Sequence, residues 1–393
     1  MNSRVITMKR VVFLTGTRAD YGKLKSLIQK VESQHGFEGY IFVTGMHMIS
    51  KYGSTYREIE RDGFENIYKY INQKLGVGMD IALSNTILGF SNYINEIQPD
   101  IIVIHGDRLE ALAGAIVGSF NNIKVIHIEG GEISGTIDES IRHAVTKLSH
   151  FHLVANEEAK ARVMQLGESE DSIFIIGSPD IDVMFSKDLP SIHKAKERYQ
   201  IFFREYGIFM YHPVTTEVHL LRDHIKSVVQ ALLASNRNYV VVYPNNDEGT
   251  SIILEEIQAL ENHERFRVFP SIRFEYFLTL LKHSKFIIGN SSAGIRESGV
   301  YSIPAIDIGS RQKGRYNQTK KEHIIHVNEM VDEILEAINQ AEAMIVKTSS
   351  LFGDGRSTER FIHLLQQEKI WDQSPQKSFQ DIKVPLAGMH RGG

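Results

Sequence analysis

The sequence predicts an α/β fold made of two Rossmann-like, doubly wound domains. Its 393 residues are too many for one hydrophobic core, so two domains are expected. Short apolar runs rich in Val and Ile recur along the chain, and most are continuous rather than alternating. Runs of this kind are typical of strands buried on both faces of a parallel sheet. Helical stretches separate many of them, which favours strand–helix alternation.

The predicted strands form two series. The first comprises residues 11–14, 40–43, 101–104, 124–128, 152–155 and 173–176. The second comprises residues 207–211, 239–243, 266–269, 285–289 and 305–309. Because the alternation of apolar runs and helical stretches begins again after the polar segment SKDLPSIHKAKERYQ, we predict an N-terminal domain over 8–200 and a C-terminal domain over 201–375. Met8 fits a natural start, and residues 376–393 are expected to be a tail, either vector-derived or unstructured.

Composition excludes several classes of protein. The formal net charge is -4, so a global basic field for nucleic acid is absent. No apolar run approaches the roughly 18 residues of a membrane helix, and the N-terminus lacks the pattern of a signal peptide. There is no cysteine, which removes disulfides and thiol chemistry. The sequence thus predicts a cytoplasmic protein that binds neither nucleic acid nor membrane.

Polar residues follow the strands of the first series, where ligands of open α/β sheets bind. The first strand leads into Thr15–Gly22, which contains Arg18. This turn fits an anion site at a helix N-terminus and fits equally an ordinary turn with a solvated Arg.

A cluster of carboxylates is expected after two further predicted strands of the first series, residues 101–104 and 124–128. Asp107 and Arg108 follow residues 101–104, while Glu129 follows 124–128 and is itself followed by Asp138 and Arg142. Carboxylates near arginines are sites where pKa values are pushed apart, as general acid–base chemistry requires. Helix capping is the alternative for Asp138. Glu132 and Glu139 fit solvated or capping roles better.

In the second half, each predicted strand also ends in polar residues. These are His212, the pair Asn245 and Asp247, the segment with Ser291, Ser292 and Glu297, and finally Arg311. Hydroxyls and free N–H groups entering a helix suit a phosphate. The alternatives are an N-cap for the serines, an exposed basic loop for Arg311 and a structural role for His212.

Several motifs are missing. The sequence has no G-x-G-x-x-G fingerprint after its first strand, no phosphate-binding P-loop and no nucleophile elbow. Its histidines lack the spacing of HExxH metal sites. We therefore predict neither a metal nor a cofactor.

An ordered set of motifs resembles one family. The motifs are TGTRADYGKL, VTGMHM, IHGDRLEALAGA, HIEGGEISGTIDESIRHAVTKLSH, IGSPDIDVM, HPVTTE, YPNNDEG, GNSSAGIRE and DIGSRQ. From about residue 9 to about residue 365, they resemble the hydrolysing UDP-N-acetylglucosamine 2-epimerases of bacterial sialic acid synthesis.

The resemblance implies the GT-B architecture, with a UDP-sugar bound between two domains. It implies anti elimination of UDP to 2-acetamidoglucal, followed by hydration to N-acetylmannosamine, and it suggests a dimer or tetramer. Asp107, Glu129 and Asp138 would handle the C2 proton and the water, with Arg142 orienting them and His212 stabilising the leaving diphosphate. The diphosphate and ribose contacts would come from Arg18, Arg108, Ser291, Ser292 and Arg311. Asn245 and Asp247 would lie on the nucleotide side, and Glu297 would hold the ribose hydroxyls.

Other readings stay open at the level of sequence. A relative within the family acts on a UDP-linked diacetamido-trideoxy sugar for legionaminic acid, and it would share most of these motifs. A non-hydrolysing epimerase is excluded only by resemblance. A GT-B glycosyltransferase would need an acceptor groove and a membrane-facing patch, which the chain does not indicate. A nucleotide-sugar-binding regulator would gain nothing from the carboxylate cluster.

Overall fold

Two parallel sheets form the framework of the protein. The computed structural model describes residues 8–133, 137–314 and 323–381. The first sheet contains β1 (Lys9–Thr15), β2 (Phe37–Val43), β3 (Ile67–Lys69), β4 (Ile101–His105), β5 (Lys124–Ile128), β6 (Phe151–Val154) and β7 (Ile173–Ile175). The second contains β8 (Gly207–Met210), β9 (Tyr239–Val242), β10 (Phe266–Phe269), β11 (Ile287–Gly289), β12 (Ala305–Ile308) and β13 (Ile324–Val327).

Both sheets have the doubly wound order that creates a crevice at their strand ends. The first sheet runs β3-β2-β1-β4-β5-β6-β7, and the second runs β10-β9-β8-β11-β12-β13. The order reverses beside β1 and beside β8, so the crevice opens where β1 meets β4 and where β8 meets β11. The predicted two-domain α/β fold is confirmed.

Helices cover both faces of each sheet. Those that follow the first-sheet strands are α1 (Arg18–Glu32), α2 (Tyr56–Arg61), α3 (Met79–Ile97), α4 (Leu109–Phe120), α5 (Ile137–Leu148) and α6 (Glu157–Gln165), and the connection to the second sheet contains α7 (Pro179–Met184) and α8 (Ile192–Arg198). The rest are α9 (Leu221–Ala234), α10 (Thr250–Gln258), α11 (Phe274–Lys282), α12 (Glu297–Val300), α13 (Val331–Ala343), α14 (Ser357–Leu365) and α15 (Glu368–Asp372). Within the described parts of the chain, no helix has the length and apolar character to span a membrane.

The continuous apolar runs are explained by burial on both faces. In β1, Val11 and Phe13 pack on one side of the sheet while Val12 and Leu14 pack on the other. All four side chains are buried. Alternate residues of a strand point to opposite faces, so a strand covered on both sides needs apolar residues throughout.

Core packing crosses the predicted domain limits in two places. Ile181 of α7 and Ala195 of α8 lie in a core cluster with strands of the second sheet, although they precede residue 201. In α14, Phe361 packs on the first sheet, with its ring 6.2 Å from that of Phe13. The division into 8–200 and 201–375 therefore stays a prediction based on chain order. In the structure, α14 and α15 pack on the first sheet although they follow the second sheet in the chain.

The beginning of the predicted tail is packed against the first sheet's helices. The Lys377 ammonium donates hydrogen bonds to the main-chain oxygens of Lys147, at 2.8 Å, and Ser149, at 2.6 Å. These oxygens lie at the C-terminal end of α5, where a cation is favoured. Residues 382–393 of the predicted tail lie outside the described residues.

Candidate active site

A cleft of about 310 Å³ lies between the carboxyl ends of the two sheets. Every predicted site residue except Asp247 lines it: Arg18, Asp107, Arg108, Glu129, Asp138, Arg142, His212, Asn245, Ser291, Ser292, Glu297 and Arg311. Asp247 lies one step behind, where it accepts a hydrogen bond from Arg108 at 3.1 Å. The two halves of the predicted constellation thus meet in one place.

Glu129 is the most heavily paired carboxylate of the cleft. Its backbone φ is 63°, a left-handed conformation that is uncommon for non-glycine residues. Its carboxylate lies 2.7 Å from Arg296 and 3.4 Å from Lys23, and His105 Nε2 lies 3.1 Å away. Burial opposes ionisation, but the charges of Arg296, Lys23 and His105 hold the pKa of Glu129 well below its usual value. Glu129 is therefore an anion at neutral pH.

Asp107 stands at the turn after β4 and is bound by Arg142 of α5. The Arg142 guanidinium donates to Asp107 and, at 2.5 Å, to the Glu129 main-chain oxygen. Buried His127 stabilises this turn, because its Nε2 donates a hydrogen bond to the Gly106 main-chain oxygen at 2.8 Å. Arg142 thus joins two of the carboxylate-bearing turns, and its orienting role stays a prediction.

Asp138 occupies the first turn of α5 and differs from Glu129 in its surroundings. Burial raises the pKa of Asp138, as does the nearby charge of Asp107, while Arg311 and Arg108 lower it. The net direction is upward. Arg311 approaches its carboxyl group from the second sheet at 3.5 Å. The pKa values of these two carboxyl groups are therefore shifted in opposite directions, which is the separation acid–base chemistry uses.

His212 is held as a neutral hydrogen-bond donor. Its Nδ1 accepts the Asn245 N–H at 3.0 Å, so the ring proton is on Nε2 in the neutral form. Burial lowers its pKa well below the ordinary value, and the charges of Arg311 and Arg108 lower it further. Asn290 fixes the backbone from both sides, accepting the His212 N–H at 2.6 Å and donating to its oxygen at 2.9 Å.

The turn after β1 is built differently from the predicted anion site. Asp20 is part of a capping box with Thr17, and its carboxylate accepts the N–H groups of Gly16 and Thr17, each at 3.0 Å. The amides that might hold an external anion are therefore occupied. Arg18 is bound by Glu58 and donates to Ser271 at 2.6 Å, so it reaches across the cleft rather than into solvent.

The second sheet supplies small polar groups and one unusual acid. Ser291 accepts the Ala293 N–H at 3.3 Å as an N-cap, and Ser292 lies beside it in the cleft. Asn245 donates to Asp247. Burial raises the pKa of Glu297 to about 7, with Asp180 raising it and Lys23 and Arg296 opposing.

Sequence reasoning missed several residues of the cleft. Arg296, Lys23, His105, Tyr52, Ser271 and Phe274 line it without having been predicted. Glu132, expected to be solvated, instead binds Arg296. His105 was within reach of prediction, since it ends β4 beside Asp107. Lys23 and Arg296 were not, because one lies a turn inside α1 and the other precedes a four-residue helix.

The fold and cleft define a GT-B type protein with a polar, carboxylate-rich site between two Rossmann-like domains. A family model described as UDP-N-acetylglucosamine 2-epimerase matches residues 29–366. The chain belongs to this family.

Individual relatives extend the match over nearly the whole chain. It is 49% identical over 381 residues to the UDP-N-acetylglucosamine 2-epimerase of Neisseria meningitidis serogroup B, covering 96% of this chain and 100% of the relative. It is 35% identical to the hydrolyzing UDP-N,N'-diacetylbacillosamine 2-epimerase of Legionella pneumophila, covering 91% and 96%. In fold it is similar to the Methanocaldococcus jannaschii UDP-GlcNAc 2-epimerase solved in complex with UDP-GlcNAc and UDP, with a TM-score of 0.77, 20% identity and coverage of 91% and 99%.

Proposed function

We propose that this protein is a hydrolysing UDP-N-acetylglucosamine 2-epimerase, which converts UDP-N-acetylglucosamine and water to N-acetylmannosamine and UDP. The observation that carries the proposal is the opposed pair of carboxyl environments, with the pKa of Glu129 lowered and that of Asp138 raised, in a cleft that also holds cationic and neutral donors. Its membership of the epimerase family and the 49% identity to the Neisseria enzyme support the substrate.

The first step is elimination. A carboxylate removes the C2 proton of the sugar while the C1–O bond to UDP breaks, giving 2-acetamidoglucal. Because a C2–H group is a weak acid, the step needs a well-placed base and a stabilised leaving group. Asp107 and Glu129 are the ion-paired carboxylates available for this proton.

Donors from the second sheet stabilise the departing diphosphate. Neutral His212 presents its Nε2–H, while Arg311 adds positive charge. Ser291 and Ser292 add hydroxyl groups at the same wall. A neutral imidazole donor suits this role, since it stabilises developing negative charge without having to give up its proton.

The second step is hydration of the glucal. Water adds at C1, and an acid delivers a proton to C2 on the face opposite to the one deprotonated, which inverts that carbon. Asp138 is suited to this acid role, because burial and the charge of Asp107 favour its protonated form. A closed cleft keeps bulk water out until the glucal has formed.

A substrate panel tests the proposal. The purified protein is incubated separately with UDP-N-acetylglucosamine and with the UDP-linked diacetamido-trideoxy sugar, and free UDP and free sugar are quantified by chromatography. We expect release of UDP and N-acetylmannosamine from the first substrate at least 10-fold faster than any release from the second. Preference for the second substrate, or a UDP-sugar product without release of UDP, would overturn the assignment.

Two further predictions go with this function. A dimer or tetramer is expected, and sedimentation at several protein concentrations measures the mass directly. The predicted cytoplasmic location is checked by fractionating the native cells.

A further inference from the structure

Arg296 joins the second sheet's side of the cleft to the first sheet's carboxylates. It directly precedes α12, and its side chain is only 5% exposed. Its Nη2 donates to Glu129 Oε1 at 2.7 Å, and its Nη1 binds Glu132. A planar guanidinium is well suited to hold two carboxylates at once.

The same guanidinium contacts the place where the chain passes between the two sheets. One passage runs through Gly177 and Ser178, and the other runs through Phe352 and Gly353. They are joined by a hydrogen bond from the Ser178 N–H to the Phe352 oxygen at 2.7 Å. Arg296 donates to Ser178 Oγ at 2.5 Å, and its guanidinium lies 4.6 Å from the centroid of the Phe352 ring.

The two passages have the backbone of a hinge. Gly177 and Gly353 have φ values of 84° and 136°, which side-chain-bearing residues rarely adopt. A Cβ added to Gly177 would lie 3.3 Å from the Gly353 Cα. Two glycines in close contact give the crossing two positions without a Cβ atom, so small changes of φ and ψ there rotate one sheet against the other.

We propose that Arg296 is a positioning residue that couples closure of the cleft to the placement of Glu129. The Arg296 guanidinium reaches the Glu129 carboxylate only when the second sheet closes on the first. Its contacts with Ser178 and Phe352 link this movement to the hinge. The inference rests on the proposed function, because it assigns Glu129 a part in the reaction.

Apart from Ser178 at the crossing, whose hydroxyl also donates to Glu129, the other partners of Glu129 come from elements on the first sheet's side. Lys23 lies on α1, His105 ends β4, and Arg142 of α5 donates to the Glu129 main-chain oxygen. Asp180, at the start of α7, lies 3.4 Å from the ammonium group of Lys23, the same group that pairs with Glu129. Lys23, His105 and Arg142 stay near Glu129 when the cleft opens, whereas Arg296 leaves with the second sheet.

The electrostatics agree with this geometry. Against the opposing effect of burial, the charge of Arg296 is the largest single effect that lowers the pKa of Glu129. Loss of Arg296 therefore raises the pKa of Glu129, and the carboxylate becomes protonated at a higher pH. A pH profile can detect this change, whereas a general loss of packing leaves the profile in place.

The experiment compares Arg296→Gln and Arg296→Lys with the wild-type protein and with Lys25→Met. Lys25 bridges Asp62 and Glu275 between the two sides, at 2.9 and 3.2 Å, but does not line the cleft. The measurements are kcat and KM from pH 4.5 to 8.5 with UDP-N-acetylglucosamine, the Kd of UDP, and Tm.

For Arg296→Gln we expect kcat at neutral pH to fall by about 100-fold through misplacement. The acid limb of the kcat profile, which the low pKa of Glu129 keeps at or below the acid end of this range in wild type, should move upward into the range, with the Kd of UDP within about 3-fold of wild type. The acid limb and kcat of Arg296→Lys should lie between those of wild type and Arg296→Gln. Lys25→Met should keep the wild-type profile.

An acid limb that stays in place in both Arg296 variants would overturn the inference, as would a loss of UDP affinity equal to the loss of kcat. If Arg296→Gln does not fold, Arg296→Lys alone decides the question by the position of its acid limb. A wild-type protein that releases no UDP refutes the proposed function instead, so the two failures can be told apart.

Discussion

The cleft places two carboxyl groups whose pKa values are shifted in opposite directions within one small volume. This contrast originates in the residues that surround each group. Glu129 is surrounded by cations. Asp138 is buried near another acid, and Arg311 lies 3.5 Å from its carboxylate. The same chemical group therefore has its pKa shifted downward at one position and upward at the other, as acid–base pairs in enzymes require.

Replacement of Asp107 should separate binding from turnover. Asp107→Asn keeps the shape of the side chain but removes the charge that Arg142 binds. We expect kcat to fall by about 100- to 10,000-fold, the range of a lost acid–base group, while the Kd of UDP stays within about 3-fold. Calorimetric titration and steady-state kinetics measure the two quantities.

Glu139→Gln is the matched control for that variant. Glu139 lies on α5 next to Asp138, but its side chain is 35% exposed and pairs with His143 of the same helix at 3.3 Å. Its turnover should equal that of wild type. Unchanged turnover in Asp107→Asn would remove Asp107 from the mechanism.

Glu297 should make the ligand-free protein less stable as the pH rises. Burial raises its pKa from 4.5 to about 7, so its stabilising contribution is complete below about pH 4.5 and is lost as the pH passes through about 7. The expected loss is about 3 kcal/mol, from the value of one pKa unit. Glu297→Gln has no such titration, so its Tm should fall less between pH 4.5 and 8 than that of wild type. Parallel Tm curves would contradict the prediction.

At the residue scale, the sequence was most informative directly after strands. Asp107, Glu129 and His212 could be found because the ends of parallel strands share one edge. Arg296 and Lys23 could not, since they act from helices, where a charged residue ordinarily faces solvent. The occupied turn after β1 was also beyond prediction, because only the fold shows that Asp20 accepts its amide N–H groups.

At the scale of elements, α1 and α11 meet across the cleft at a glycine. A Cβ added to Gly22 of α1 would lie 2.5 Å from the Cβ and Cγ of Phe274 at the start of α11. Such a distance is too short for carbon atoms, so a side chain at position 22 must push the two helices apart. The glycine therefore permits the closed arrangement rather than any local backbone conformation.

Gly22→Ala should impair closure without unfolding either sheet. In an isolated helix the change favours folding by about 1 kcal/mol, but here we expect overpacking to lower the stability by about 1–3 kcal/mol. The ratio kcat/KM should fall by at least 10-fold, as measured with UDP-N-acetylglucosamine. Gly39→Ala in β2 is the control, because its Cβ would lie 3.1 Å from the flexible Glu32 side chain and at an ordinary contact distance of 3.8 Å from Val31. Equal activity in the two variants would show that the α1–α11 contact does not matter for closure.

The elements that the sequence failed to predict lie at the margins of the sheets. β3 and β13 are edge strands, although β7 and β10, the other two edge strands, were predicted. β3 has three residues, two of them exposed, so it leaves no apolar run in the sequence. The return of α14 to the first sheet was also not foreseen, because helix patterns show an apolar face but not the core it joins. Central strands, whose burial on both faces leaves the clearest pattern, were predicted correctly.

At the scale of the whole molecule, the site exists only where the two domains meet. Arg108–Asp247, Arg311–Asp138 and Arg296–Glu129 each pair a residue of one side with a residue of the other. Closure therefore assembles the charges that elimination requires and covers the substrate at the same time. Two doubly wound sheets with facing strand ends are the simplest architecture that provides this arrangement.

The most direct test of the account is proton NMR of the wild-type protein with UDP-N-acetylglucosamine in D2O. Elimination removes the C2 proton and hydration returns one from solvent. The account therefore predicts free UDP together with N-acetylmannosamine that carries deuterium at C2. A free sugar that keeps its original C2 proton, or UDP-sugars that interconvert without release of UDP, would contradict elimination followed by hydration in this cleft.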